Sequence, residues 1–137
     1  MPWRAVWHRI GLSRPGGCRR PLVTVGGRLL LSVPAGGRYL LKRIFHDWDD
    51  KQSATILRNC RQAMAPGGRI LVIDAVVPPG NLPHQSKTLD LMMMASLGGR
   101  ERTEEDFAQL FKKAGLRLRR IVPTPTVLSV VEAVSTE

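Results

Sequence analysis

From residue 39 onward, apolar and polar positions follow periods that assign elements. Tyr39-Leu40-Leu41-Lys42-Arg43-Ile44-Phe45 is a short apolar run behind a glycine pair, and predicts a buried strand ending in charge. His46-Asp47-Trp48-Asp49-Asp50 breaks the run, and Asp49 or Asp50 can accept hydrogen bonds from the free N–H groups of a following helix. Ile56, Leu57, Cys60, Ala63 and Met64 recur at three- and four-residue spacings, with Arg58 and Arg61 pointing elsewhere, so an amphipathic helix is predicted over 51–64. Pro66-Gly67-Gly68 ends it.

The next apolar run, 69–77, is β-branched and continuous, as expected of a strand with both faces covered in a parallel sheet. Strand, helix, strand implies a right-handed crossover. Residues 86–97 predict a helix with Leu89, Met92, Met93 and Leu97 along one side. Thr103 can cap a further helix with Glu104 and Glu105 in its first turn, a buried stripe of Phe107, Leu110, Phe111 and Ala114, and Lys112, Lys113 and Gly115 at its end. Residues 116–122 and 127–134 read as strands, and the link between them is too short for a parallel crossover, so they should pair antiparallel. The expected fold class is therefore α/β: part of an open, Rossmann-like sheet closing in an antiparallel hairpin. Ligands of such sheets bind outside the carboxyl ends of the strands, which brings the loops after Phe45 and Val77, and with them His46 and Asp74, into view.

Composition changes this picture in one region. The chain has 137 residues and a net charge of +10, with 43% hydrophobic and 23% charged residues, which excludes a collagen, a coiled coil and a wholly disordered chain. Its two cysteines cannot make a disulfide scaffold, and the central apolar run is too short to span a bilayer, so a soluble, cytoplasmic protein is expected. Residues 1–38 hold seven Arg and no acid, four prolines and three glycine pairs, whereas 39–137 are nearly balanced at fourteen basic against eleven acidic residues. We therefore divide the chain into a basic, Gly/Pro/Arg-rich segment, 1–38, and a domain part, 39–137. The basic segment could bind phosphate backbone, resemble a transit peptide, or be a divergent start joined to a conventional domain.

Three stretches carry a specific resemblance. Residues 39–50, then Ile-Leu-Arg-Asn-Cys-Arg-Gln-Ala-Met-Ala-Pro-Gly-Gly-Arg-Ile-Leu-Val-Ile-Asp, then Gly-Gly-Arg-Glu-Arg-Thr resemble the S-adenosylmethionine-dependent O-methyltransferases of plant caffeic-acid type and their bacterial relatives. The resemblance covers about 25–137 and corresponds to the C-terminal half of that family's catalytic domain, with its class I methyltransferase sheet. It implies S-adenosyl-L-methionine as cofactor and a small, aromatic hydroxyl compound as acceptor. It implies His46 as general base, with Asp74 and Glu101 as its acidic partners, Asp74 standing where many relatives have Glu. Lys42 matches a cofactor-contacting lysine, and Met92, Met93 and Met94 match the helix lining the acceptor pocket. A base at His46 is expected to be dispensable for folding, so that His46→Ala removes turnover alone.

Each residue also has a plainer reading. Asp47, Asp49 and Asp50 suit helix capping better than a Mg²⁺ site, the methionines suit core packing, and Cys60 suits a buried, inert thiol. His8 and His84 lack ligand-spaced partners, so no metal site is expected. Upstream the resemblance fails: no G-x-G occurs, and Gly26-Gly27-Arg28-Leu29 carries a base where relatives carry an acid. A truncated domain would leave an exposed strand edge and uncovered apolar faces. That leaves two alternatives to an enzyme: a noncatalytic half-domain that forms a homo-oligomer or pairs with a fuller relative, and a basic nucleic-acid binder using 1–38, which the local confinement of the charge argues against. No membrane partner is expected.

Overall fold

The computed structural model describes residues 5–9, 23–27, 29–96 and 99–136. In chain order it contains strands β1 (Ala5–Arg9), β2 (Val23–Gly27) and β3 (Gly36–Lys42), a 3-10 turn at Phe45–Asp47, helix α1 (Asp50–Ala63), strand β4 (Met64–Val77), helix α2 (Gln85–Ser96), strand β5 (Arg102–Thr103), helix α3 (Glu104–Lys113), and strands β6 (Leu116–Pro123) and β7 (Leu128–Ser135). The sheet order is β2-β1-β3-β4-β7-β6, with β5 beside the end of β4. Strands β3 and β4 run parallel, while β7 is antiparallel to both β4 and β6. The expected hairpin is present, and it is β7, the second strand, that docks on β4.

Register explains the core. Tyr39, Ile70, Ala133 and Leu118 form one cross-strand row, and Leu41, Val72, Val131 and Ile121 the next. These rows pack with Phe45, Ile56, Leu57, Cys60, Phe107, Leu110 and Phe111 into one cluster. Burial of each large side chain contributes roughly 1.5–3 kcal/mol. The Cys60 thiol is fully enclosed, and burial pushes it up to about 12, in keeping with an inert packing residue. The intervening row, Leu40, Leu71, Glu132 and Arg120, faces the opposite way.

Helix α1 begins where expected: Asp49 accepts from the Gln52 N–H at 2.7 Å. It ends at Ala63 with Met64 already extended, ahead of the Pro-Gly-Gly break, because Pro66 disfavours helical geometry at Ala65. The strand therefore starts at Met64, with an irregular register between Gly36 and Arg38, and Gly67 takes φ 72°. Thr103 and Asp106 form a reciprocal capping box on α3. One expectation is corrected: the edge of β3 is not bare, because β1 lies antiparallel beside it with His8 opposite Leu40. Residues 1–4, 10–22 and 28, which include Cys18 and Arg28, lie outside the described residues.

Candidate active site

The site forms where β3 ends at Lys42 while β4 runs on beside it to Val77, with Asp74 one residue past the last β3–β4 pair. Lys42 pairs with Ile73 and stays exposed as the last residue of β3. At Arg43 the backbone enters the left-handed region with φ 52°, the one non-glycine residue to do so among those described. Its N–H still donates to the Ile73 carbonyl at 3.0 Å, so the ladder holds for one residue more while the chain turns away. Phe45, fully buried, anchors the 3-10 turn in the core and carries His46 with it.

Two neighbours hold this turn from behind. Arg102 is 1% exposed, and its guanidinium donates to the Phe45 carbonyl at 2.6 Å, the Trp48 carbonyl at 2.9 Å and Asp50 Oδ1 at 2.9 Å. Gly99 lies so close behind His46 that a Cβ there would overlap the His46 carbonyl oxygen. This is the physical content of the Gly-Gly-Arg-Glu-Arg-Thr stretch: a glycine for close approach, an arginine as a staple, and Glu101 between them.

In front of the staple, five ionisable side chains converge. His46 Nδ1 stands 3.5 Å from Asp74 Oδ1, and Nε2 stands 2.9 Å from Asp47 Oδ1. Arg43 Nη1 is 3.0 Å from Glu101 Oε1 and 3.5 Å from Asp74 Oδ1. Asp90 of α2 fixes the next link by accepting from the Glu101 N–H at 2.8 Å. His46, Asp74 and Glu101 are only 8%, 1% and 5% exposed. Yet among the described residues His46 Nδ1, Asp74 Oδ2 and Glu101 Oε2 are buried without a hydrogen-bond partner. At 3.5 Å the His46–Asp74 contact is an ion-pair distance, longer than a formed hydrogen bond.

Burial pushes the Asp74 carboxyl above its ordinary value, against the lowering influence of His46, Arg43 and Arg102. Burial raises Glu101 too, offset by its hydrogen bond to Arg43 and reinforced by the charge of Asp74.

His46, Asp74 and Glu101 are thus brought into one cluster. Glu101 reaches it through Arg43, and Asp47 touches the ring directly. Lys42 is exposed at the same end of the sheet, and on α2 Met92 is exposed and Met93 half-buried. Because the His46 ring is buried, alanine there would leave a void, which revises the expectation that folding is indifferent to it. His84 is engaged at the start of α2, with Nδ1 2.7 Å from Ser86 Oγ and accepting from the Ser86 N–H. Among the described residues, no group of three or more His, Cys, Asp or Glu could hold a metal ion. Among them too, no helix is long and apolar enough to cross a membrane. Sequence reasoning missed Arg43 and Arg102, which read as ordinary surface charges.

This sheet order, with a histidine turn at the carboxyl ends of its parallel strands, defines a class I methyltransferase-like half-sheet. The O-methyltransferase domain family matches residues 16–117, and the chain belongs to that family. It is similar to phenazine O-methyltransferase PhzM of Lysobacter antibioticus, 48% identical over 111 residues that make up 80% of this chain and 33% of that protein. It is also similar to (RS)-norcoclaurine 6-O-methyltransferase of Coptis japonica, 37% identical over 113 residues, with 80% and 33% covered. Among solved structures, CalO1, a methyltransferase in calicheamicin biosynthesis in its SAH-bound form, matches with a TM-score of 0.78 and 50% identity over 82% of this chain and 34% of that one. The chain spans about a third of the length of the relatives it matches.

Proposed function

We propose that this chain carries the acceptor-activating part of an S-adenosylmethionine-dependent O-methyltransferase, with His46 as general base toward the hydroxyl of a small aromatic acceptor. The observation that carries the reading is the buried His46 ring at the carboxyl end of β3, with Asp74 at Nδ1 and the half-exposed Asp47 at Nε2. A phenol with a pKa of about 10 is a poor nucleophile at neutral pH, and a positioned imidazole that removes its proton contributes roughly 10²- to 10⁴-fold. The acceptor hydroxyl would take the place of the Asp47 carboxylate at Nε2. That displacement costs little, because Asp47 can turn into water. The ring would then hold the proton against Asp74, whose burial strengthens the attraction.

The residues fit the cofactor in part. Lys42 stands exposed beside the site and suits the polar part of an adenosyl group, whereas the glycine-rich loop that would enclose it has no counterpart in the sequence. When bound, S-adenosylmethionine supplies the electrophilic methyl group. Met92 and Met93 offer polarizable thioethers suited to a flat aromatic ring. The relatives favour the same acceptor class: a structure of NcsB1, similar to this chain with a TM-score of 0.71 and 37% identity, is described in complex with S-adenosyl-L-homocysteine and 1,4-dihydroxy-2-naphthoic acid.

The test uses the full chain. Saturable binding of S-adenosyl-L-homocysteine at micromolar concentration is expected by calorimetry. Methyl transfer to 1,4-dihydroxy-2-naphthoic acid should fall about 10²- to 10⁴-fold in His46→Gln, a variant of similar volume. Unchanged turnover in that variant rejects the base. A second reading, a half-domain that docks onto a complementary chain, is favoured by the half-buried Leu40, Leu71, Ile73 and Val130 on the face opposite the core. An absence of cofactor binding up to millimolar concentration, with concentration-dependent self-association in sedimentation, would support it over the enzyme.

A further inference from the structure

The left-handed backbone at Arg43 has no local excuse. Arginine gains nothing from φ 52°, and such a conformation costs roughly 1–2 kcal/mol for a residue with a Cβ. Strain of this kind persists where the surroundings over-determine it. Here two restraints do so: the N–H bonded to the Ile73 carbonyl at 3.0 Å, and one guanidinium nitrogen within 3.5 Å of two buried carboxylates from distant parts of the chain.

We propose that Arg43 is a positioning residue, the clamp that keeps Asp74 and Glu101 charged side by side and holds Asp74 Oδ1 on the Nδ1 side of His46, ready to draw the ring proton there once an acceptor hydroxyl displaces Asp47 from Nε2. This deepens the reading of His46 as base and rests on it. Two carboxylates buried together repel each other and lose hydration, and one of a pair so placed ordinarily stays protonated. A protonated Asp74 would offer His46 Nδ1 a weaker acceptor, leaving the half-exposed Asp47 to draw the ring proton to Nε2, the wrong nitrogen for a base. The charged groups facing the cluster are Arg43 from the end of β3, His46 and Asp47 from the turn, Asp74 from β4, Asp90 from α2, and Glu101 and Arg102 at β5. Arg102 is committed to the carbonyls behind the turn and to Asp50, so Arg43 is the cation in direct contact with both carboxylates.

The test compares the full chain with Arg43→Asn, which tolerates the left-handed backbone, and with Arg43→Lys, which restores the charge. The readout is carboxyl-carbon NMR titration of Asp74 and Glu101. In Arg43→Asn one carboxyl should titrate at clearly higher pH than in the parent chain, while Arg43→Lys returns it toward the parent value. If the carboxyls titrate in Arg43→Asn as they do in the parent chain, the clamp is overturned. Should Arg43→Asn fail to fold, Glu101→Gln supplies the same comparison from the other side, and Arg43→Asn need not be read. With a single carboxylate left to the guanidinium, Asp74 should then titrate lower than in the parent, and no movement overturns the clamp. These signals are independent of methyl transfer. A clamp that responds while His46→Gln retains turnover would sink the base and leave the clamp standing.

Discussion

Glu132 and the Asp74–Glu101 pair both bury carboxylates against arginine, and burial ends in opposite results. Around Glu132, Arg69 approaches at 2.6 Å, Arg120 at 2.6 Å and Arg119 at 3.5 Å, so both oxygens are engaged. Burial is the largest single influence on Glu132 and raises it, yet the hydrogen bonds and charges of Arg120 and Arg69 outweigh it and hold the carboxyl below its ordinary value. At the site, two carboxylates share one nitrogen of Arg43, one oxygen of each is left without a partner among the described residues, and burial wins. The residue types are the same, and the number of cations per carboxylate decides the sign.

The largest expected effect concerns what holds the strained side of this comparison together. Arg102→Met should destabilise the chain by about 3–5 kcal/mol, because it strands the buried Phe45 and Trp48 carbonyls and leaves Asp50 with Arg100 alone among the described residues. Chemical denaturation measures it, and a loss under about 1 kcal/mol would mean that the turn carrying His46 stands without its staple. Next comes the satisfied side. Glu132→Gln should cost about 1–2 kcal/mol at neutral pH, discounted because its three arginines are partly solvated. Glu132 also sets an acid limit. Its folded value lies below the ordinary 4.5, so its contribution is complete above that pH and is lost as pH falls through the folded value. The parent chain should therefore lose stability on acidification more steeply than Glu132→Gln, and parallel curves would contradict the assignment.

What was legible in the sequence follows the same division. Regular periods of apolar residues announced α1, β4, α3 and the final hairpin, because burial of one face leaves a repeating trace, and capping at Asp49 and Thr103 marked their starts. His46 and Asp74 were legible as residues at the carboxyl ends of parallel strands. Arg43 and Arg102 were not. A left-handed φ is signalled by Gly or Asn, not by Arg, and a fully buried guanidinium cannot be told from a solvated one by its neighbours in sequence. The contact of Asp47 with Nε2 was hidden because its neighbours, Asp49 and Asp50, make the whole run read as helix capping. The early end of α1 came from Pro66 acting on Ala65, a restriction that falls one residue before the proline that causes it.

The smallest effect is the sharpest test of the comparison, because it runs against the usual direction of mutation. Asp74 has its folded value raised above the ordinary 3.8, so each step up in pH from there sets its ionisation against the native structure until the folded value is passed. Asp74→Asn removes that penalty. The Oδ1 acceptor is kept, and the unpartnered Oδ2 is replaced by a neutral amide. Below pH 3.8 the variant and the parent should be equally stable. Toward neutral pH the variant should become more stable by on the order of 1 kcal/mol, measured by denaturation across the range, while any methyl transfer falls with the loss of the charge facing His46. A variant that is less stable at neutral pH would mean that Arg43 satisfies Asp74 as fully as three arginines satisfy Glu132, and the contrast between the two clusters would vanish. A gain in stability coupled to a loss of turnover would identify Asp74 as a carboxylate retained for its charge despite its cost to the fold.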